Sequence, residues 1–205
     1  MEITKTMAIT AEQVKALRDK TGAGMMDCKK ALSEAAGDLE KATDLLRKRG
    51  VVQAAKRAGR ATSEGLVGHY IHMGGKIGVL VEVNCESDFV ARTDDFQSLV
   101  REIAMHVAAA NPLYVRRDDV PPALVEKERE IYRDQLKDAG KPESVLEKII
   151  DGKLGSYYQQ VVLLEQPSIR DPKTTIEQLV TLAIAKLGEN ITIARFTRYK
   201  VGESA

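Results

Sequence analysis

Tryptophan is absent from the 205 residues, phenylalanine occurs three times, and there are only two cysteines and six prolines. With aromatics at 4%, a core has to be assembled mainly from Leu, Ile, Val and Ala. Cys28 and Cys85 stand in unrelated segments without metal-ligand spacing. Both read as reduced, buried small hydrophobes rather than parts of a disulfide framework. No apolar run approaches the ~20 residues that a bilayer crossing needs. The opening Met1-Glu2-Ile3-Thr4-Lys5 lacks the apolar centre of a signal peptide, so a cytoplasmic location is expected. A dominant charge is lacking too, since the net charge is +1. Residues 1–60 hold 13 Lys and Arg against 8 Asp and Glu, a balance of +5, and the remainder holds 18 against 22, or −4. That bias can steer the N-terminal part toward an acidic surface. It falls short of a nucleic-acid-binding stripe, and no direct nucleic-acid contact is expected.

Catalytic constellations are equally scarce. His69 and His72 lie an odd number apart in a strand-like run, so they point to opposite faces and cannot chelate one ion. No Ser sits in a Gly-x-Ser-x-Gly turn, and neither Cys has a neighbouring His. Gly22-Ala23-Gly24 has no third glycine in register, and Gly74-Gly75-Lys76 is followed by Ile, so neither makes a phosphate loop. Asp94-Asp95 and Asp118-Asp119 read as helix-start charges. No enzyme activity, metal or cofactor is expected.

What is present is a pattern of short elements. Thr10-Ala11-Glu12-Gln13 is a capping box, with Ile9 and Val14 at the staple positions around it. Thr21-Gly22-Ala23-Gly24 breaks this first helix, and a second begins at Met25. Gly37 ends the second, Asp38 caps a third, and Gly50 is expected to stop it in the left-handed conformation. Three helices in so short a span match a ubiquitin-associated-like bundle over residues 1–52. Residues 53–64 read as a linker, partly helical at its start.

Residues 65–205 read as an α+β core. Two strand-like runs flank Gly74-Gly75, a pair suited to a two-residue primed turn. Phe96, Leu99, Val100, Ile103, Ala104, Val107 and Ala108 then recur at helical spacing, and Asn111-Pro112 stops them. Two helical stretches around Gly140-Lys141-Pro142 predict a projecting antiparallel hairpin over about 121–166. Thr174-Thr175-Ile176-Glu177 reads as a second capping box, Gly188 as a stop, and Asn190 to Tyr199 as a third strand. The expected fold is α+β: the bundle, then a three-stranded antiparallel sheet packed on helices. Such a sheet leaves an edge to be covered, and self-association is one way to cover it.

The segment Asn84-Cys85-Glu86-Ser87-Asp88-Phe89-Val90-Ala91-Arg92 joins an apolar strand to the long helix. It spends one of only three Phe on a connection that runs over the surface. Phe89 either folds back to cap the core or stands out as an aromatic anchor, with Asp88 fixing orientation. Met25-Met26 at a helix start beside a glycine turn leaves one methionine facing out as an adaptable contact. Lys29-Lys30 and Arg47-Lys48-Arg49 read as solvated helix faces. His106 lies beside the apolar stripe of the long helix, either half-buried or in contact with a partner.

Together, Thr21-Gly22-Ala23-Gly24-Met25-Met26-Asp27-Cys28-Lys29-Lys30-Ala31-Leu32 and Asn84 to Arg92 resemble the two signatures of the elongation factor Ts family. The likeness extends through Met105-His106-Val107-Ala108 and Gly188-Glu189-Asn190-Ile191. The resemblance implies a guanine-nucleotide exchange factor for elongation factor Tu. It implies that Lys15, Arg18, Met25 and Met26 grip the GTPase, and that Ser87, Asp88, Phe89 and Val90 insert near its magnesium site. His106 is implied to contact the same region. Ser87 stands where the family usually has Thr, which keeps the hydroxyl. Longer members carry two sheet-containing halves and this chain has room for one, which implies a homodimer. A helical adaptor that remodels no GTPase is the rival of another class, and RNA binding is a weaker one.

Overall fold

A computed structural model describes residues 9–137, 139–140 and 142–203. The N-terminal segment Met1 to Lys5 and Lys141 of the expected hairpin turn lie outside them. The described chain is α+β, with one three-stranded sheet whose strands lie side by side in chain order. Two compact units divide the described residues, each drawing on three stretches: those up to 65, 84–99 and 179–192 in one, and those in 66–83, 100–178 and from 193 on in the other.

The first unit opens with helices α1 (Ala11–Thr21), α2 (Met25–Glu34) and α3 (Leu39–Arg57). The Thr10 capping box is present with both reciprocal bonds, and Gly22 ends α1 at φ +66°. The Asp38 carboxylate accepts from the amides of Glu40 and Lys41, as a cap must to satisfy the first turn. The core consists of Val14, Leu17, Cys28, Ala31, Leu32, Ala35, Ala42 and Leu46, with Ile9, Ala23 and Leu45 around it. Gly50 does not stop α3, which runs on to Arg57. Gly50 keeps helical backbone, without the positive φ that a left-handed stop needs, and it is buried where a Cβ would lie in ordinary contact with the Ala185 Cβ at 3.4 Å.

The second unit holds most of the sheet formed by β1 (Glu64–Ile71), β2 (Ile77–Cys85) and β3 (Ile191–Lys200). Val79, Val81 and Val83 alternate on the buried face of β2, as a half-buried strand requires. The amide of Val201 donates to the carbonyl of Lys76, so the end of β3 meets the start of β2 and the two run antiparallel. The β1–β2 connection differs from the expected two-residue turn. The last paired bond runs from the His72 amide to the Ile77 carbonyl, leaving the four residues Met73 to Lys76 as the loop. Gly74 and Gly75 take φ of +85° and +68° within it. Glycine thus supplies positive φ there, and the first hydrogen-bonded pair lies one residue farther out on each strand, in the same register.

Asp88–Ala91 forms a short turn of helix, α4, ahead of α5 (Asp94–Ala110), which ends at Asn111 with φ +49°. At Gly68 the backbone of β1 comes so close to α5 that a Cβ would sit 2.2 Å from Val100 Cγ1. The hairpin is formed by α6 (Pro122–Gln135) and α7 (Glu143–Val161). It is tied by Arg129 to Glu147 and Asp151 at 3.1 and 3.2 Å, and by Arg133 to Glu147 at 2.7 Å. Helix α8 (Ile176–Leu187) follows. Its capping box is Thr175 with Gln178, one residue later than expected, because the Thr174 hydroxyl is engaged by Asp171.

Candidate functional site

The segment after β2 is built outward from its backbone. Ser87 is the N-cap of α4, its hydroxyl accepting from the Val90 amide at 3.4 Å. Val90 and Ala91 point inward and are buried, which pins one side of the turn. Periodicity on so short a helix then forces Asp88 and Phe89 outward. Phe89 is 76% exposed, so it does not cap its own core. Asp88 pairs with Arg92 one turn on at 2.7 Å. The bare aromatic ring stands on a capped, anchored turn and is therefore pre-organised, with little backbone freedom left to lose.

The same compact unit carries the bundle. Leu17 and Val14 take the inward face of α1, which turns Lys15 and Arg18 to solvent on one side of the helix. Cys28, Ala31 and Leu32 occupy the inward face of α2 and leave both Met25 and Met26 outside, 58% and 76% exposed. Cys28 donates to the Ala23 carbonyl at 3.6 Å, tying the glycine turn to the core. Burial pushes its thiol above the ordinary range, which suits a structural role.

His106 belongs to the other unit and has no exposed surface. Its Nε2 lies 2.9 Å from Gln166 Oε1, while the Gln166 amide nitrogen donates to the Gln160 carbonyl. Oε1 must therefore accept, so Nε2 carries the proton and Nδ1 is a bare acceptor without a partner among the described residues. Burial pulls the imidazole below its ordinary 6.5 and keeps it neutral. In the free chain the ring is out of a partner's reach and acts on α5.

Among the described residues, no cluster of three His, Cys, Asp or Glu is arranged to hold a metal ion. No described helix is long and apolar enough to cross a membrane.

A family model for elongation factor Ts matches residues 4–203. The chain belongs to the elongation factor Ts family. Proteins named elongation factor Ts from Geobacter sulfurreducens and Fervidobacterium nodosum are 57% and 59% identical to it over 197 residues. These matches span 96% of this chain and 91% and 100% of the two relatives. One from Koribacter versatilis is 59% identical over 96% of this chain and 90% of its own length. As a member of the elongation factor Ts family, the chain is a translation elongation factor.

One side chain that holds the Phe89 turn was not singled out by sequence. Glu189 of this elongation factor Ts family member accepts from the amides of Glu86 and Ser87 at 3.1 and 3.0 Å, and from the Ser87 hydroxyl at 2.6 Å. The signal available was its place after the Gly188 helix stop, where a carboxylate has no helical partner to satisfy.

Proposed function

We propose that this chain is the guanine-nucleotide exchange factor for elongation factor Tu, acting by binding and not by covalent catalysis. The observation that carries the reading is the Phe89 ring, 76% exposed on a capped turn, in the same compact unit as the exposed Met25, Met26, Lys15 and Arg18. The bundle, residues 1–52, serves as the grip. The core, residues 65–205, carries the wedge, and 53–64 joins them. Ser87, Asp88, Phe89 and Val90 enter beside the GTPase's magnesium site, as the family resemblance implies. His106 contributes through α5, since its ring is buried.

Linkage fixes the thermodynamics. The factor must bind nucleotide-free Tu more tightly than GDP-bound Tu, and GDP must weaken the factor by the same ratio. An acceleration of ~1000-fold lowers the release barrier by about 4 kcal/mol. Burying one Phe supplies about 1.5–3 kcal/mol. The grip must therefore provide the remainder, which is why both features are needed on one molecule.

A homodimer belongs to the same proposal. Val67, Ile71, Leu80 and Tyr199 are large apolar or aromatic side chains left exposed on the three strands, and a second copy would cover them. No direct nucleic-acid contact enters the scheme, and its place of action is the cytoplasm, where translation proceeds.

Stopped-flow release of a fluorescent GDP from purified Tu, with and without this chain, tests the reading. Release accelerated in proportion to added chain until saturation is expected. Capture of Tu with unaltered release would favour the adaptor and overturn the exchange reading. Sedimentation of the free protein decides the dimer.

A further inference from the structure

Glu189 lies 102 residues from Ser87 in sequence, yet its carboxylate takes three hydrogen bonds from residues 86 and 87. The bonds are divided so that both oxygens are used. Oε2 accepts the two successive backbone amides, and Oε1 accepts the Ser87 hydroxyl. That hydroxyl in turn accepts from the Val90 amide, inside the helical turn that bears Phe89. The relay therefore runs from Glu189 through Ser87 to the backbone immediately after the ring.

The grip is reciprocal. The Glu86 carboxylate accepts from the Asn190 amide at 2.6 Å and lies 3.4 Å from the Arg60 guanidinium. The Asn190 side-chain amide donates to the Arg60 carbonyl at 2.8 Å. Each of the two loops thus presents a carboxylate to the other's backbone. These are charge-assisted bonds to amides lying between elements, those of Glu86 and Ser87 just after β2 and that of Asn190 just before β3.

Helix α8 delivers Glu189 to this position, with Gly188 at φ +80° turning the chain just before it. The same helix touches the bundle twice. Ala185 meets Gly50 of α3, and the Lys186 stem lies over Gly22, where a Cβ would come within 3.0 Å of Lys186 Cδ. The Lys186 ammonium then reaches Asp95 at the start of α5, 2.6 Å away. Both the gripping bundle and the Phe89 turn are therefore seated on the C-terminal end of α8.

From this geometry we infer that Glu189 is the positioning residue of the Phe89 wedge: its carboxylate fixes the turn on α8, the helix that also seats the bundle. The inference rests on the exchange reading above. A ring held in place before encounter loses less freedom when the complex forms. Removing the carboxylate frees the turn without touching the bundle's exposed face. The loss then falls on release at saturating factor and leaves the concentration for half-maximal effect nearly unchanged.

The test is release of a fluorescent GDP from Tu driven by the full chain, comparing Glu189→Ala, Glu189→Gln, Phe89→Ala and the Glu189→Ala/Phe89→Ala pair. Glu189→Ala is expected to slow saturated release about tenfold, the scale of lost charge-assisted hydrogen bonds at a site that must stay ordered. Glu189→Gln keeps an acceptor for the amides and restores most of the rate. In the Phe89→Ala background, removing Glu189 changes release by less than about twofold, because a wedge without its ring has nothing to position. Wild-type release by Glu189→Ala would overturn the inference, and so would losses that multiply in the double variant. Should Glu189→Ala fail to fold, Ser87→Ala removes one arm of the relay. It must slow release, and that loss too must vanish in the Phe89→Ala background, or the inference falls. If Phe89→Ala itself releases GDP at the wild-type rate, it is the exchange reading that falls.

Discussion

Truncating Phe89 to alanine removes a ring that is 76% exposed in the free chain. Little folding stability is at stake, because the neighbours that anchor the turn are Val90, Ala91 and the Ser87 cap. A surface change of this kind stays within about 0.5 kcal/mol, or less than ~2 °C in Tm for a chain of this size. The cost appears in the complex. Full burial of a Phe supplies about 1.5–3 kcal/mol, and about three-quarters of the ring remains to be buried by a partner. Roughly 1–2 kcal/mol of transition-state stabilisation is then lost, which slows GDP release about 5- to 30-fold. Stopped-flow release at saturating Phe89→Ala, with occupancy matched to the wild-type chain, measures it directly. A melting curve confirms that the variant is folded. Unaltered release at matched occupancy would refute the wedge, and so would a loss of release that merely follows a collapse in Tm.

Three further outcomes follow from other parts of the molecule. Met25→Ala combined with Met26→Ala removes two exposed apolar contacts, and should raise the concentration of chain needed for half-maximal release about tenfold or more with Tm nearly unchanged. Burial holds the His106 imidazole below its ordinary 6.5, so the unfolded chain takes up a proton that the folded chain refuses. Its contribution to stability is complete above that pH and is lost as pH falls below it, and urea melts of His106→Gln should show a flatter decline than wild type from about pH 7 to 5. Gly68→Ala places a methyl against Val100 and should cost about 1–3 kcal/mol, seen as a fall of several degrees in Tm. An unshifted Tm would contradict the close packing of β1 on α5.

The features that sequence made legible are those decided within one helical turn. Thr10 with Gln13, Asp38 with the amides that follow it, and the apolar stripe of α5 all depend on spacings of three or four residues. The exposure of Phe89 was readable only as one of two alternatives, because it depends on whether Val90 and Ala91 fill the space beneath the turn. Gly50 misled because a glycine near a helix end suggests a stop, whereas the helix continues through it to Arg57 with Gly50 buried against Ala185, 135 residues away. Gly74-Gly75 marked the centre of the turn but not its length, because the ladder opens at the His72–Ile77 pair and leaves Met73 and Lys76 in the loop. Glu189 was legible only as part of the Gly188-Glu189-Asn190-Ile191 likeness and as the residue after a helix stop; its role was not, since each of its partners lies more than one hundred residues distant. Methionine exposure on α2 was half legible: one was expected outside, and the small core of Cys28, Ala31 and Leu32 has no room for either.

The most direct measurement uses the scarcity of aromatics in this chain. Biosynthetic replacement of its three phenylalanines by 4-fluorophenylalanine gives three fluorine resonances, and the one missing in Phe89→Leu belongs to the turn. Because Phe96 is buried and Phe89 is not, the Phe89 signal should carry the largest solvent-isotope shift in the free protein. Addition of nucleotide-free Tu should abolish that shift, and excess GDP should restore it, as reciprocal linkage demands. A Phe89 resonance that stays solvent-exposed while Tu is bound and GDP leaves would contradict the account.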